Sequence, residues 1–268
     1  MKSILLSILV FLSFSSNINS QNITADTTYS SIATEKIFRI IQPGKAPALT
    51  IQLSGYYDIG LMDLASADNK NLSVTDFYNG RGFGTRNGLG VSLTGKIRLH
   101  KKGNVRLNLT GAFHRIETNV LSTESKIGNV NYNVISGAIG FENCFTPDRK
   151  FKPYIGFDII ASSIKGSAVL KIDTATTNLT IKNSFRVGAG VNFGFEYALS
   201  NTFGFNLGLK VQHLNIFKKE NKTSSNPNET YLNDDKVTTP APYTGLKQFV
   251  FTSANLGFNF YIGHKAKK

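Results

Sequence analysis

The chain has 268 residues, of which 41% are hydrophobic and 18% charged. With 20 Phe and 10 Tyr it is too apolar for a disordered chain, and its single Cys excludes an internal disulfide framework. The formal net charge of +13 is an excess of the kind that nucleic-acid-binding proteins carry. The position of that charge along the chain therefore decides which partners it indicates.

The first twenty residues have the pattern of a secretory signal peptide. Lys2 gives a positive start, residues 4–14 form an apolar run, and residues 17–20 are mostly polar. The run is too short to span a bilayer as a helix. We therefore predict that residues 1–20 are removed on export, and an exported chain is not expected to bind nucleic acid.

The rest of the chain alternates between apolar and polar residues. In residues 185–199 Phe, Val, Ala, Tyr and Leu occupy one parity, whereas Arg, Gly, Asn and Glu occupy most of the other. A period of two predicts a strand with one apolar face. Each predicted strand is long enough to cross a bilayer as a tilted strand of about 9 to 11 residues. The eight predicted strands are 48–60, 88–100, 104–116, 130–145, 153–162, 184–199, 202–213 and 248–263.

The connections between these strands alternate in length. The long, polar ones are 61–87, 117–129, 163–183 and 214–247, and the short ones are 101–103, 146–152 and 200–201. Short turns at one rim and long loops at the other are typical of outer-membrane barrels. We predict an all-β fold, an eight-stranded antiparallel up-and-down transmembrane β-barrel. Its segments are a signal peptide (1–20), a periplasmic leader (21–46), the barrel (47–263) and a basic tail (264–268).

Three stretches carry a resemblance to a known family. KPYIGFDIIAS, GAGVNFGFEYALSNTFGFNLGLK and SANLGFNFYIG resemble the small eight-stranded OmpA/OmpX-type barrels of Gram-negative outer membranes. The resemblance covers residues 47–263 and implies an outer-membrane location. It departs from the family at the C-terminus, because such barrels commonly end on an aromatic residue, whereas Phe260 and Tyr261 are followed by residues 262–268.

A secreted calyx is the soluble alternative, since its eight strands also alternate. The two architectures differ in which face is apolar. Several glycines share the polar parity, and small residues there favour a crowded interior over a solvated outer face. These glycines, which favour the membrane barrel, are Gly188, Gly190, Gly194, Gly204, Gly208, Gly257 and Gly263.

The inward parity carries nine charged residues. Buried charges require partners, so we expect a salt-bridge network that closes the lumen near the short-turn rim. Three cations there are expected to face three anions. A gated path or a proton relay through the same residues is the alternative. The predicted lumen network is Asp58, Lys96, Arg98, Arg106, Glu142, Asp158, Arg186, Glu196 and Lys210.

No catalytic, cofactor-binding or metal-binding site is predicted. The four histidines show no paired metal-ligand spacing, and His114 has only Glu117 as a close carboxylate. We therefore predict a non-enzymatic protein with a role in envelope structure or adhesion. Residues 214–247 are the expected surface for an extracellular ligand or partner protein, because binding commonly resides on loops held by a rigid scaffold. A small-solute or lipid channel and a subunit of a larger envelope complex are the alternatives.

Without residues 1–20 the chain keeps 29 basic and 17 acidic residues, a net charge of +12. Much of this excess lies at the short turns and the tail, which predicts a basic rim facing anionic lipid headgroups or acidic envelope polymers rather than a nucleic-acid groove. Outer-membrane lipid is therefore the expected partner. The rim residues are Lys101, Lys102, Arg149, Lys150, Lys152, Lys265, Lys267 and Lys268.

Overall fold

The computed structural model describes residues 44–65, 70–118, 128–172, 175–237 and 245–265. The predicted signal peptide, the predicted leader up to residue 43, and Lys267 and Lys268 lie outside these residues. Among the described residues, no helix is long and apolar enough to cross a membrane.

Eight long strands close into an antiparallel barrel. Each pairs with its neighbours in the order β1 to β7, and β11 closes the barrel by pairing with both β7 and β1. Leu49 lies opposite Ile262 and Leu61 opposite Val250 at this closure. The prediction of an eight-stranded antiparallel barrel is confirmed. The barrel strands are β1 (Leu49–Leu61), β2 (Asn87–Arg98), β3 (Val105–Glu117), β4 (Gly128–Cys144), β5 (Phe151–Ile172), β6 (Ala175–Ala198), β7 (Phe203–Phe217) and β11 (Val250–Ile262).

Short elements fill the connections at one end of the barrel. A 3-10 turn (Met62–Leu64) and helix α1 (Lys70–Tyr78) lie between β1 and β2. Strands β8 (Glu229–Thr230), β9 (Asp235–Lys236) and β10 (Gly245–Leu246) lie between β7 and β11. β8 adds to β6 in parallel, and β9 pairs with β10. The helix was not predicted, since 61–87 was expected to be a polar loop.

The predicted loop 163–183 is wrong, because β5 and β6 continue through it as a long hairpin. The pairing shifts between Ile164, which lies opposite Ser184, and Gly166, which lies opposite Ile181. This bulge places one extra residue on β6 and breaks the alternation. The period-two pattern in the sequence therefore ends at the bulge, whereas β5 and β6 continue beyond it. Residues 175–178 beyond it are exposed on both faces.

The outer surface of the barrel carries a belt of apolar side chains on all eight strands, while the lower interior is polar. A calyx would have the opposite arrangement, so the soluble alternative is excluded. Exposed side chains of the belt include Leu53 and Ile59 on β1, Leu89 and Leu93 on β2, Leu109 and Phe113 on β3, Ile139 and Phe141 on β4, Phe157 and Ile159 on β5, Val191 and Phe193 on β6, Leu207 and Leu209 on β7, and Leu256 and Phe258 on β11.

The barrel interior is crowded where the side chain of Tyr154 extends across it, and the facing positions on the neighbouring strands are glycines. A Cβ atom at Gly194 or Gly208 would lie 2.8 or 2.7 Å from the hydroxyl of Tyr154. Tyr154 itself is buried. The glycines on the inward face thus make room for a large side chain across the lumen.

At the long-loop end, the strands and loops share an apolar core. We use the term cap for the described parts of 62–86 and 218–249, together with the ends of β3 to β6 that lie next to them. Leu64, Val74 and Phe83 of the first segment and Leu232 and Phe249 of the second are buried in this core. Their strand partners are Ile116, Val130, Tyr132, Val134, Ile160, Ile164, Ala168, Ile181, Leu214 and Phe251.

Candidate functional site

The lower lumen is filled by a cluster of four buried charges on β2, β3, β4 and β6. The Lys96 ammonium lies 3.0 Å from Glu142 and 2.8 Å from Glu196. The Arg106 guanidinium lies 2.8 Å from Glu196 and also pairs with Glu142. Each cation therefore bridges both carboxylates, and Asn108 donates a further hydrogen bond to Glu142. All of these residues are buried.

Arg98 does not join this cluster, contrary to the sequence prediction. It is the last residue of β2, and its Nη1 donates to the carbonyl of Ala46 at 3.0 Å. Among the described residues, no carboxylate lies within salt-bridge distance of Arg98. The parity of Arg98 is correct, but at the strand end its side chain meets the chain entering β1 instead of the lumen charges.

The placement of Lys152 on the basic rim is wrong. Lys152 is fully buried, and its Nζ lies 4.1 Å from the ring centroid of Tyr261. The predicted strand began at 153, whereas β5 begins at Phe151. Lys152 therefore shares the inward parity of Tyr154 and points into the barrel.

Two further buried pairs lie higher in the lumen. The Lys210 ammonium lies 2.8 Å from Asp158, which also accepts a hydrogen bond from Asn192 at 3.0 Å. Asp58 lies 2.8 Å from Nδ1 of His114 and accepts a 2.5 Å hydrogen bond from Ser253. The sequence argument placed Asp58 in the lumen but did not pair it with His114, which has the same inward parity in β3.

These side chains leave little free space. A cavity of about 30 Å³ lies among Gln52, Tyr56, Thr94, Lys96 and the Lys210–Asp158 pair. A volume of this size holds about one or two water molecules. Above it, Phe251 packs against the ring of His114 at 5.3 Å, where the polar lumen meets the apolar core of the cap.

Arg186 joins the barrel to the cap. Its side chain is buried, with Nη2 2.8 Å from Asp234 and 2.7 Å from the carbonyl of Leu232. Asn215 also donates to Asp234 at 2.7 Å. Arg186, predicted as a lumen charge, is thus the anchor of the connection between β7 and β11. Asp234 was not singled out in the sequence, since no periodic pattern marks it.

The cap contains a pocket of about 310 Å³. Its walls come from α1 and the loop that follows it, from β4 and β6, and from the connection between β7 and β11. Five of the lining side chains are aromatic, and one is the buried cation Lys247. The lining residues central to the pocket are Phe77, Tyr78, Phe83, Tyr132, Tyr231 and Lys247. Residues 230–237 and Lys247 belong to the segment 214–247, which was predicted to be the interaction surface.

The remaining rim residues lie at the short-turn end. Lys101, Lys102, Arg149 and Lys150 are exposed in two turns there. Lys265 is exposed and pairs through its backbone with Lys45, next to the start of β1. Lys267 and Lys268 lie outside the described residues.

Comparisons with known proteins return structures but no sequence family. No protein-family model and no curated protein matches the chain. Neisserial surface protein A (NspA) is 12% identical with a TM-score of 0.44, over 81% of this chain and 99% of that chain. The attachment invasion locus protein Ail of Yersinia pestis is 9% identical with a TM-score of 0.40, over 81% and 98%. The outer membrane protein OprG from Pseudomonas aeruginosa is 13% identical with a TM-score of 0.39, over 82% and 96%.

The barrel itself shows the class of protein. An even number of antiparallel strands, an apolar outer belt and a filled polar lumen are the features of outer-membrane β-barrels. Every barrel strand exposes apolar side chains on its outer face. Contact of so large an apolar surface with water is unfavourable, whereas contact with lipid is favourable. The chain is an outer-membrane β-barrel.

Proposed function

We propose that this protein is a non-enzymatic barrel with a closed lumen, which presents its cap outside the cell as an interaction surface. The observation that carries the proposal is that the lumen is filled at two heights. The lower filling is the cluster of Lys96, Arg106, Glu142 and Glu196. The upper filling is the apolar core of the cap, and a solute would have to displace both.

The ends of the barrel support an orientation with the cap outside. Outer-membrane barrels have short periplasmic turns and longer extracellular loops. The exposed cations Lys101, Lys102, Arg149, Lys150 and Lys265 then face the periplasm, where they suit an anionic lipid surface. The proposed partners are outer-membrane lipid at the belt and an extracellular ligand or protein at the cap.

Planar-bilayer recording with the purified barrel tests the closed lumen. We expect no steady single-channel current above the bilayer background, because the remaining cavity of about 30 Å³ has room for only about one or two waters. A steady, reproducible current would contradict closure and favour the small-solute pathway. A partner that stays bound in fixed ratio through detergent purification would instead favour a subunit of a larger envelope complex.

A further inference from the structure

The pocket in the cap has the composition of a ligand site rather than of a packing defect. Its volume of about 310 Å³ lies at the lower end of the range that small-molecule sites occupy. Such sites combine apolar and aromatic walls with a few polar groups. Here the polar group of interest is Lys247, which is only 5% exposed.

Among the described residues, the ammonium of Lys247 has no counter-ion in contact. No carboxylate among the described residues lies within salt-bridge distance of it, and its Nζ lies 5.1 Å from the ring centroid of Phe83, a wall of the pocket. A buried cation without a partner is costly, since it has lost water and gained no ion pair. An anion in the pocket would supply the missing partner.

Three carboxylates attract the Lys247 ammonium electrostatically, but each of them is paired with, or accepts a hydrogen bond from, another side chain. Asp234 pairs with Arg186 at 2.8 Å, and Asp63 pairs with Lys236 at 2.7 Å. Asp235 accepts a hydrogen bond from Asn221. Burial outweighs the attraction of these three groups and lowers the pKa of Lys247 to about 8. At neutral pH the side chain is therefore still a cation.

Two of the tyrosine hydroxyls in the pocket walls are bound to backbone carbonyls. The hydroxyl of Tyr132 donates to the carbonyl of Phe83 at 3.1 Å, and that of Tyr78 donates to the carbonyl of Thr177 at 3.2 Å. With these hydroxyls engaged by backbone, the rings offer apolar area for stacking. The exposed Asp235 in the lining disfavours a second negative charge on the ligand.

We propose that the cap pocket binds a small monoanion with a planar, apolar ring body, its carboxylate paired with Lys247 and its ring held between the aromatic walls. This inference deepens the proposed function, since it names a ligand class for the interaction surface. Ligand binding is measured independently of conductance, so the failure of one leaves the other standing.

The test uses naphthalene-2-carboxylate as the anionic probe and naphthalene-2-carboxamide as a neutral probe of the same shape. Titration calorimetry of the full barrel in detergent should show the carboxylate binding about tenfold or more tightly than the carboxamide, as a buried charge-assisted hydrogen bond requires. In Lys247→Met this preference should disappear. Lys171→Met, at an exposed position on β5 outside the pocket lining, should leave it unchanged.

Three results would overturn the proposal. They are no binding of the carboxylate to the unaltered protein, equal binding of the two probes, or an undiminished preference in Lys247→Met. Loss of folding does not obscure the outcome, because removing an unpaired buried charge is not expected to destabilise the cap. An unchanged rate of trypsin cleavage within 218–237, which reports on the cap, verifies this. Lys247→Arg, which keeps the charge, should retain a preference for the carboxylate.

Discussion

In the four-charge cluster of the lower lumen, each side chain has two ion-pair partners. Lys96 and Arg106 share Glu142 and Glu196, so the cluster has two cations and two anions in mutual contact. Removing one partner of a buried pair leaves an uncompensated charge, whereas a charge at the rim can turn to water. Residues of the same type at similar height should therefore differ in their effect on stability.

Arg106 and Arg98 give the direct comparison. We expect Arg106→Met to lower the free energy of unfolding by about 3–5 kcal/mol, because Glu142 and Glu196 then share the single cation Lys96. Arg98→Met removes one hydrogen bond to a backbone carbonyl and should cost about 1 kcal/mol or less. Urea titration in lipid vesicles, followed by far-UV circular dichroism, measures both. Equal losses would mean that the cluster does not carry the lumen's stability.

The pH dependence of probe binding tests the charge on Lys247. Its lowered pKa of about 8 means that the cation is present below pH 8 and lost above it. The charged groups that face Lys247 are Asp63, Asp234, Asp235 and Lys236. Burial raises the pKa of Tyr78, so this phenol stays neutral.

Affinity for naphthalene-2-carboxylate should accordingly be constant up to about pH 8 and fall above it by up to about tenfold per unit. Binding of the carboxamide should be flat over the same range. Calorimetry at pH 6.5 and 9.5 measures the difference. A carboxylate affinity that does not change between these values would place the charge recognition at another group.

Among the elements, the connection between β7 and β11 is held to the barrel by Asn215 at its base as well as by Arg186. Asn215 donates to Asp234 at 2.7 Å and to the carbonyl of Lys247 at 2.9 Å, and accepts from the amide of Phe249 at 2.7 Å. It is fully buried. The connection is thus a folded part of the cap and not a loose polar loop.

Asn215→Ala should release this connection without opening the barrel. Three hydrogen bonds are lost and Asp234 loses one of its partners, so trypsin should cut within 218–237 at least about tenfold faster, as a loss of about 1–3 kcal/mol implies. Heat-modifiable migration should persist, because the pairing of β7 with β11 extends from His213 and Val250 downwards. Asn228→Ala, at an exposed position, should not change the cleavage rate.

The same element shows where sequence reasoning ends. Alternation assigned Lys96, Arg106, Glu142 and Glu196 to one face, because parity in a strand is a local property. The cap core joins residues far apart in the chain, such as Leu64 and Leu232, which no period connects. Asp234 and Lys247 acquire their environments only from that packing. The burial of Lys152 was missed for a simpler reason: the predicted strand began at 153, two residues after the start of β5 at Phe151.

On the scale of the whole molecule, polarity changes both across the barrel wall and along its axis. In the lower part the outside is apolar and the inside charged, as lipid requires. The cap has an apolar core, and the β5–β6 hairpin is exposed on both faces at residues 175–178. The lower part of the barrel is therefore suited to contact with lipid and the cap to contact with water. The boundary between the two lies near the bulge next to Ile164.

A charge placed on the outer surface should measure this boundary. Leu93 lies in the middle of the belt on β2 and is exposed, so Leu93→Arg should cost about 2–4 kcal/mol of stability in vesicles. Thr176→Arg, at the exposed end of the β5–β6 hairpin, should cost about 0–1 kcal/mol, since it stays in water. Urea titration of both variants in vesicles gives the comparison. Similar small costs at both positions would mean that the belt does not face lipid, whereas a large cost at Thr176 would place the membrane boundary above the bulge.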